Sequence, residues 1–233
     1  MNRYVYMGIR NWYRIPLWAI DIARRNKWHE KFSFFSQYQM IRKMVLAIIR
    51  KGRVTVHVYG KENLPAQSGY ILYSNHQGFF DGMALLYALE EPFHFLVMKE
   101  MENFSFVRYV MRLLAPVYMD RSSMKDSFRA IQRCAELAKN GENVLIFPEG
   151  TLEKQENELL LYKPGAFKAA YMAKVPVVPV VLKNSFCPFE RKGFGMCEVE
   201  VHIQKPLNYE QYNKKKTTEL AEEVMKAAEA VLK

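Results

Sequence analysis

The sequence predicts an α/β fold: a mixed, largely parallel sheet covered by helices, preceded by an N-terminal amphipathic helical segment. Two observations carry this. From Arg53 onward, short strand-like apolar runs alternate with helical patterns, as a sheet covered by helices requires. Before Arg53 the composition changes. Residues 1–53 hold twelve Lys/Arg against only Asp21 and Glu30, which equals the whole chain's formal charge of +10. The remainder is neutral, with 22 basic and 22 acidic residues. With 233 residues, half of them apolar, the chain is long enough for one large domain with an appendage. Residues 1–52 form the appendage and 53–233 the α/β domain.

The elements follow in order. Arg53–Tyr59 alternates with period two, and Asn63-Leu-Pro65 ends it in a turn. Gly69–Tyr73 is an apolar strand, and a helix starts near Asp81. Phe93–Met98 is a strand after Pro92, Phe104–Leu114 a helix and Pro116–Met119 a short strand. Ser122-Ser123 caps a helix with the apolar stripe Met124, Phe128, Ile131, Ala135 and Ala138, stopped by Asn140-Gly141. Asn143–Phe147 is a buried-type strand. A helix around Gly165–Lys174, strands Val177–Leu182 and Glu198–Ile203, and a helix Thr217–Leu232 complete the chain.

The N-terminal segment carries all three tryptophans: Trp12, Trp18 and Trp28. Aromatic rings settle at headgroup depth and cations are drawn to anionic lipid, so the segment is expected to dock on a membrane. At about 100° per residue, 37–51 puts Ile41, Met44, Val45, Ile48 and Ile49 in one sector, and Arg42, Lys43, Arg50 and Lys51 in the other. Trp12, Trp18, Arg42, Lys43, Ile48 and Arg50 are the expected docking residues. An ordinary helix packed on the domain is the alternative. A nucleic-acid partner is not expected, because the apolar sector is too extensive for a mainly phosphate contact. No run reaches the ~20 apolar residues of a spanning helix. The expected location is the cytoplasmic face of a membrane, peripheral, with no transmembrane helix. Three scattered cysteines, Cys134, Cys187 and Cys197, have no metal-ligand spacing and suggest a reduced compartment.

The chemistry-bearing run is Ser74-Asn-His-Gln-Gly-Phe-Phe-Asp81, between a strand and a helix. A neutral imidazole can take a proton from an alcohol as that alcohol attacks a carbonyl. His76 has Asp81 five residues on to fix its tautomer. Asp81 as a helix N-cap is the competing reading. No nucleophile elbow and no adjacent cysteine indicate a covalent acyl-enzyme. No second histidine lies at ligand spacing, so no metal is expected. Arg121, after Pro116–Asp120, could grip a phosphate with its planar fork or pair with Asp120. Glu149 follows Phe147-Pro148 in a tight loop. Each of these residues follows a predicted strand, where open α/β sheets build their sites.

Four segments, Asn75–Asp81, Pro116–Arg121, Phe147–Thr151 and Val175–Val180, resemble in order the blocks of the glycerophospholipid acyltransferases, nearest to the bacterial 1-acyl-sn-glycerol-3-phosphate acyltransferases. The resemblance implies the glycerolipid acyltransferase fold. It implies transfer of a fatty acyl group from acyl-CoA or acyl-carrier protein to a lysophospholipid hydroxyl, most simply that of 1-acyl-sn-glycerol-3-phosphate, with no bound cofactor. His76 would be the general base and Asp81 its partner. Arg121 would bind the acceptor phosphate, Glu149, Gly150 and Thr151 would shape the acceptor site, Lys99 would help with phosphate or with charge developing on the thioester oxygen, and Val175, Pro176, Val177 and Pro179 would border the acyl chain. The sequence departs from the pattern at Gly78, where serine is usual, and at Leu152, where arginine usually follows the Phe147–Thr151 block. Glu153, Glu156 and Glu158 make that loop acidic. A different lysolipid acceptor, or a non-catalytic lipid-binding scaffold, are the alternatives this leaves open.

Overall fold

The computed structural model describes residues 3–151, 156–191, 193 and 195–233. Leu152 and Glu153 therefore lie outside the described residues. Three helices come first: α1 (Arg3–Arg10), α2 (Ile15–Lys27) and α3 (Phe34–Lys51). Then follow β1 (Val54–Tyr59), β2 (Ile71–Ser74), α4 (Asp81–Ala88), β3 (Phe93–Met98), α5 (Ser105–Leu113), β4 (Val117–Met119), α6 (Met124–Lys139) and β5 (Asn143–Ile146). The chain ends with α7 (Lys168–Ala173), β6 (Val177–Lys183), α8 (Cys187–Glu190), β7 (Cys197–Ile203), α9 (Tyr209–Tyr212) and α10 (Thr217–Leu232).

The strands form one seven-stranded sheet in the order β1-β7-β6-β2-β5-β3-β4. Pairing is parallel except between β6 and β7. The sheet is thus mixed and largely parallel, as the alternating pattern requires. Its central strands are apolar on both faces because both are covered. In β2, Leu72 faces a core built with α1–α5, while Ile71 and Tyr73 face a second core built with α6, α7 and α10. The register pairs Tyr73 with Ile146 of β5 and Pro179 of β6. The C-terminal ends of β6, β2, β5, β3 and β4 therefore share one edge, and the site is on that edge.

Two expectations are corrected by packing. In α6, Ser123 does cap the helix by accepting a hydrogen bond from the Asp126 N–H at 3.2 Å. Ile131, Ala135 and Ala138 are buried, but Met124 is 89% and Phe128 43% exposed. Cys187 and Cys197 are bonded to each other, and Cys134 alone is free and buried. The inference of a reduced compartment falls with this pairing, which joins two residues ten apart across the β6–β7 connection.

The amphipathic face of α3 is also spent on the protein itself. Tyr38, Ile41, Met44, Val45 and Ile49 are buried in the first core. Burying a side chain of this size contributes roughly 1.5–3 kcal/mol, so five of them fix the helix firmly. Tyr38 Oη donates to the Leu89 carbonyl at 3.0 Å, and Arg42 donates to the Leu89 and Tyr87 carbonyls at 3.1 and 3.3 Å. Arg42 and Ile48, and Trp18 from α2, are thus packed onto the domain and do not face outward. Of the expected docking residues, Trp12, Lys43 and Arg50 are exposed. The ordinary packed helix is the correct reading for α3.

Among the described residues, no helix is long and apolar enough to cross a membrane.

Candidate active site

Along the shared edge, the loops leaving the parallel strands carry Ser185 (β6), His76 (β2), Glu149 (β5), Lys99 (β3) and Arg121 (β4), in that spatial order. Adjacent strands are about 4.8 Å apart, so the topology alone collects residues from five distant parts of the chain.

The His76 loop is tightly built. Asn75 ties the end of β2 to that of β6: its Nδ2 donates to the Leu182 carbonyl at 2.9 Å and its Oδ1 accepts from the Leu182 N–H at 2.7 Å. His76 Nδ1 is 2.6 Å from Asp81 Oδ2, and the imidazole stacks on Phe147 with ring centroids 4.3 Å apart. Asp81 is the first residue of α4 and does not occupy the cap position, which is Phe80. Its Oδ2 also accepts from the Gln77 and Gly78 N–H groups at 2.6 and 3.0 Å. Its Oδ1 accepts from Ser185 Oγ at 2.5 Å. The carboxylate is wholly buried, yet four hydrogen bonds hold its charge. With an acceptor at Nδ1, the tautomer carries its proton there, which leaves Nε2 as the base. The His76 side chain as a whole keeps 24% of its surface.

Glu149 Oε1 accepts from the His76 N–H at 3.2 Å. Burial pushes its carboxyl up to about 8, against the lowering effect of that bond and with a further push from the Asp81 charge. A neutral Glu149 at pH 7 is a hydrogen-bond donor beside the base. Gly150 has a φ of +70°, and a Cβ there would stand 3.0 Å from Lys163 Nζ. The backbone turn needs glycine, and its bare face lets the lysine lie against the loop. Thr151 is half-buried next to it.

Lys99 and Arg121 are both exposed. Asp120 is turned to Ser122, accepting from its N–H and Oγ at 2.9 and 2.6 Å, and leaves Arg121 unengaged by it. No ion pair holds Arg121 or Lys99 among the described residues. Nearby Lys99 and, more strongly, the Ser122 bonds hold the Asp120 carboxyl below its usual range. At Gly78 a Cβ would meet the Glu190 carboxylate at 2.8–2.9 Å, and the Phe79 N–H reaches Glu190 Oε1 at 3.4 Å. A glutamate from α8 therefore occupies the space beside the loop where a serine side chain was expected.

The structure does not bring the expected acyl-chain residues to this edge. Because β6 runs parallel to β2, Val175, Pro176 and Val177 lie at its opposite end. Val177 is fully buried in the second core, and alternation turns Pro179 to the same face. Val177 packs in that core, with Val175 partly buried against it.

Sequence reading missed Ser185, Gln77, Asn157 and Glu190. Gln77 Oε1 accepts from the Ser185 N–H at 2.9 Å, and Gln77 Nε2 donates to Asn157 Oδ1 at 2.9 Å. Asn157 and Asn184 bond to each other through both side chain and backbone. The placement of Ser185 just past a strand end was the available signal, but its partner Asp81 is 104 residues away.

A histidine–carboxylate pair on an open α/β edge, backed by cations for an anionic substrate, suits attack of a hydroxyl on an acyl group. Residues 55–183 match the acyltransferase family, and the chain belongs to it. It is 33% identical over 175 residues to the 1-acyl-sn-glycerol-3-phosphate acyltransferase of Saccharomyces cerevisiae, covering 72% of this chain and 57% of the relative. The enzyme of that name from Bacillus subtilis is 34% identical over 140 residues, 60% of this chain and 68% of the relative. The chain spans about half the length of several curated relatives it matches. In fold it is similar to the 1-acyl-sn-glycerophosphate (LPA) acyltransferase PlsC of Thermotoga maritima, with a TM-score of 0.78, 22% identity and coverage of 99% of this chain and 93% of that one.

Proposed function

We propose that this protein transfers a fatty acyl group from acyl-CoA or acyl-carrier protein to the free hydroxyl of 1-acyl-sn-glycerol-3-phosphate, giving phosphatidic acid. The observation that carries the reading is the 2.6 Å contact between His76 Nδ1 and the buried Asp81 carboxylate, with Nε2 left for substrate. The acceptor oxygen attacks the thioester carbonyl carbon as His76 Nε2 takes its proton. The tetrahedral intermediate collapses, the C–S bond breaks, and His76 gives the proton to the departing sulfur, which leaves as the free thiol and restores the neutral imidazole. The imidazolium formed in between is stabilised by Asp81. Arg121, Lys99 and Lys163 supply cations for the acceptor phosphate, and Glu149, Gly150 and Thr151 shape its loop. The names of the curated relatives favour lysophosphatidic acid as acceptor.

Purified protein given acyl donor and lysophosphatidic acid should release free thiol. His76→Ala should slow that release by roughly 10²–10⁴-fold, the usual worth of a general base. An unchanged rate would overturn the assignment, and thiol release independent of lysolipid would indicate hydrolysis.

The membrane contact we propose is moved from α3 to the outer face of α1, α2 and the turn between them. Trp12, Leu17 and Ile20 are 70%, 66% and 65% exposed there. Beside α2 lies α5, tied by Asn26 Nδ2 to the Tyr109 carbonyl at 3.1 Å, with Phe106 59% exposed. Exposed Arg10, Arg24 and Lys27 share these helices, and each cation near an anionic surface contributes roughly 1 kcal/mol.

A further inference from the structure

Ser185 is fully buried at the end of β6, and neither the motifs nor the comparisons give it a role. Asn184, in the left-handed region at φ 60°, turns the chain out of the strand so that the serine points back at the His76 loop. Its Oγ lies 2.5 Å from Asp81 Oδ1 and 2.9 Å from Gln77 Oε1. A hydroxyl has one proton. Gln77 Oε1 already receives the Ser185 N–H, and an ionised carboxylate is the stronger acceptor, so the hydroxyl proton belongs to Asp81. Gln77 cannot turn its amide to compete, because its Nε2 is committed to Asn157 Oδ1.

We propose that Ser185 is a positioning residue for the reaction, the third member of a His76–Asp81–Ser185 relay. The proposal rests on His76 as the general base. The other three bonds on Asp81 fall on Oδ2, so Ser185 is the sole described partner of Oδ1. It fixes the carboxylate's rotation about Cβ–Cγ and so aims Oδ2 at His76 Nδ1. It also takes up part of the carboxylate's charge. The titratable groups around Asp81 are His76, the neutral Glu149 from the β5 loop and, beside Gly78, Glu190 from α8.

Without that bond the Asp81 carboxylate loses its Oδ1 donor and its fixed rotation. Ser185→Ala should lower kcat by roughly 10–10²-fold, the worth of one hydrogen bond to a buried charge, with KM for both substrates unchanged. Because a less satisfied carboxylate favours the imidazolium, the acid limb of kcat should move to higher pH. Ser185→Thr should restore both. Ser185→Cys, which fills the site with a weak donor, should behave like alanine, and it stands in if the alanine variant does not fold. Wild-type kcat and pH profile in a folded alanine or cysteine variant, alongside an inactive His76→Ala, would overturn the relay and leave the base intact. A lower kcat with an unmoved acid limb would make Ser185 merely structural and also overturn it. Full activity in His76→Ala would remove the base reading itself.

Discussion

Glu149 and Asp81 are two buried carboxyls on neighbouring loops that the structure treats in opposite ways. Among the described residues Asp81 has four hydrogen-bond donors and Glu149 one, the His76 N–H, and at Glu149 burial prevails. The sign of the consequence is fixed. Below its ordinary value of 4.5, Glu149 is protonated in both folded and unfolded chains. Between there and about 8 the unfolded chain loses the proton and the folded one keeps it, so stability falls as pH rises through that window. Glu149→Gln keeps the acceptor for His76 N–H and removes the titration. Its Tm should exceed the wild type's at pH 8.5, and the gap should close towards pH 4. A constant gap would refute this. At Gly78, the Glu190 carboxylate stands where a Cβ would go. Gly78→Ser should therefore lower activity less in a Glu190→Ala background than in the wild type, a coupling that a double-mutant cycle measures.

At the scale of elements, α3 and α2 divide what one basic, aromatic segment had suggested. The apolar sector of α3 was legible from its period, but period does not say whether protein or lipid covers it. Here α1, α4, α5 and β1 do. Ile41→Ala should cost about 2–5 kcal/mol of stability, read in a denaturant titration, with vesicle binding by the folded protein unchanged. Replacing Trp12, Leu17 and Ile20 together by serine should do the reverse: Tm unchanged, sedimentation with anionic vesicles lost. Retained sedimentation would exclude this face. The Cys187–Cys197 bond closes the short segment that leads into β7. By loop entropy it contributes about 2–3 kcal/mol, so a reductant should lower Tm in the wild type and not in the Cys187→Ser/Cys197→Ser pair.

For the whole molecule, the uneven charge and the sheet topology are the two organising facts. Removing residues 1–51 would strip Tyr38, Ile41 and Met44 from the first core, and the remainder should not fold as a monomer. Membrane attachment should weaken with salt, because cations near the bilayer are screened within a Debye length. The alternation of strands and helices, the capping serine and the ordered motifs determined the fold class and the His76–Asp81 pair from sequence alone. These are local signals: a period, a cap, a spacing of five residues. What only the tertiary structure decided is non-local. Parallel pairing of β2 with β6 sends Val175–Val177 to the far edge and Ser185 to Asp81. The packing of α3 fills an apolar face that the sequence could not assign, and the turn between β6 and β7 brings two cysteines together. A linear pattern records which face is apolar; it does not record what lies opposite, because that partner is supplied by residues dozens of positions away.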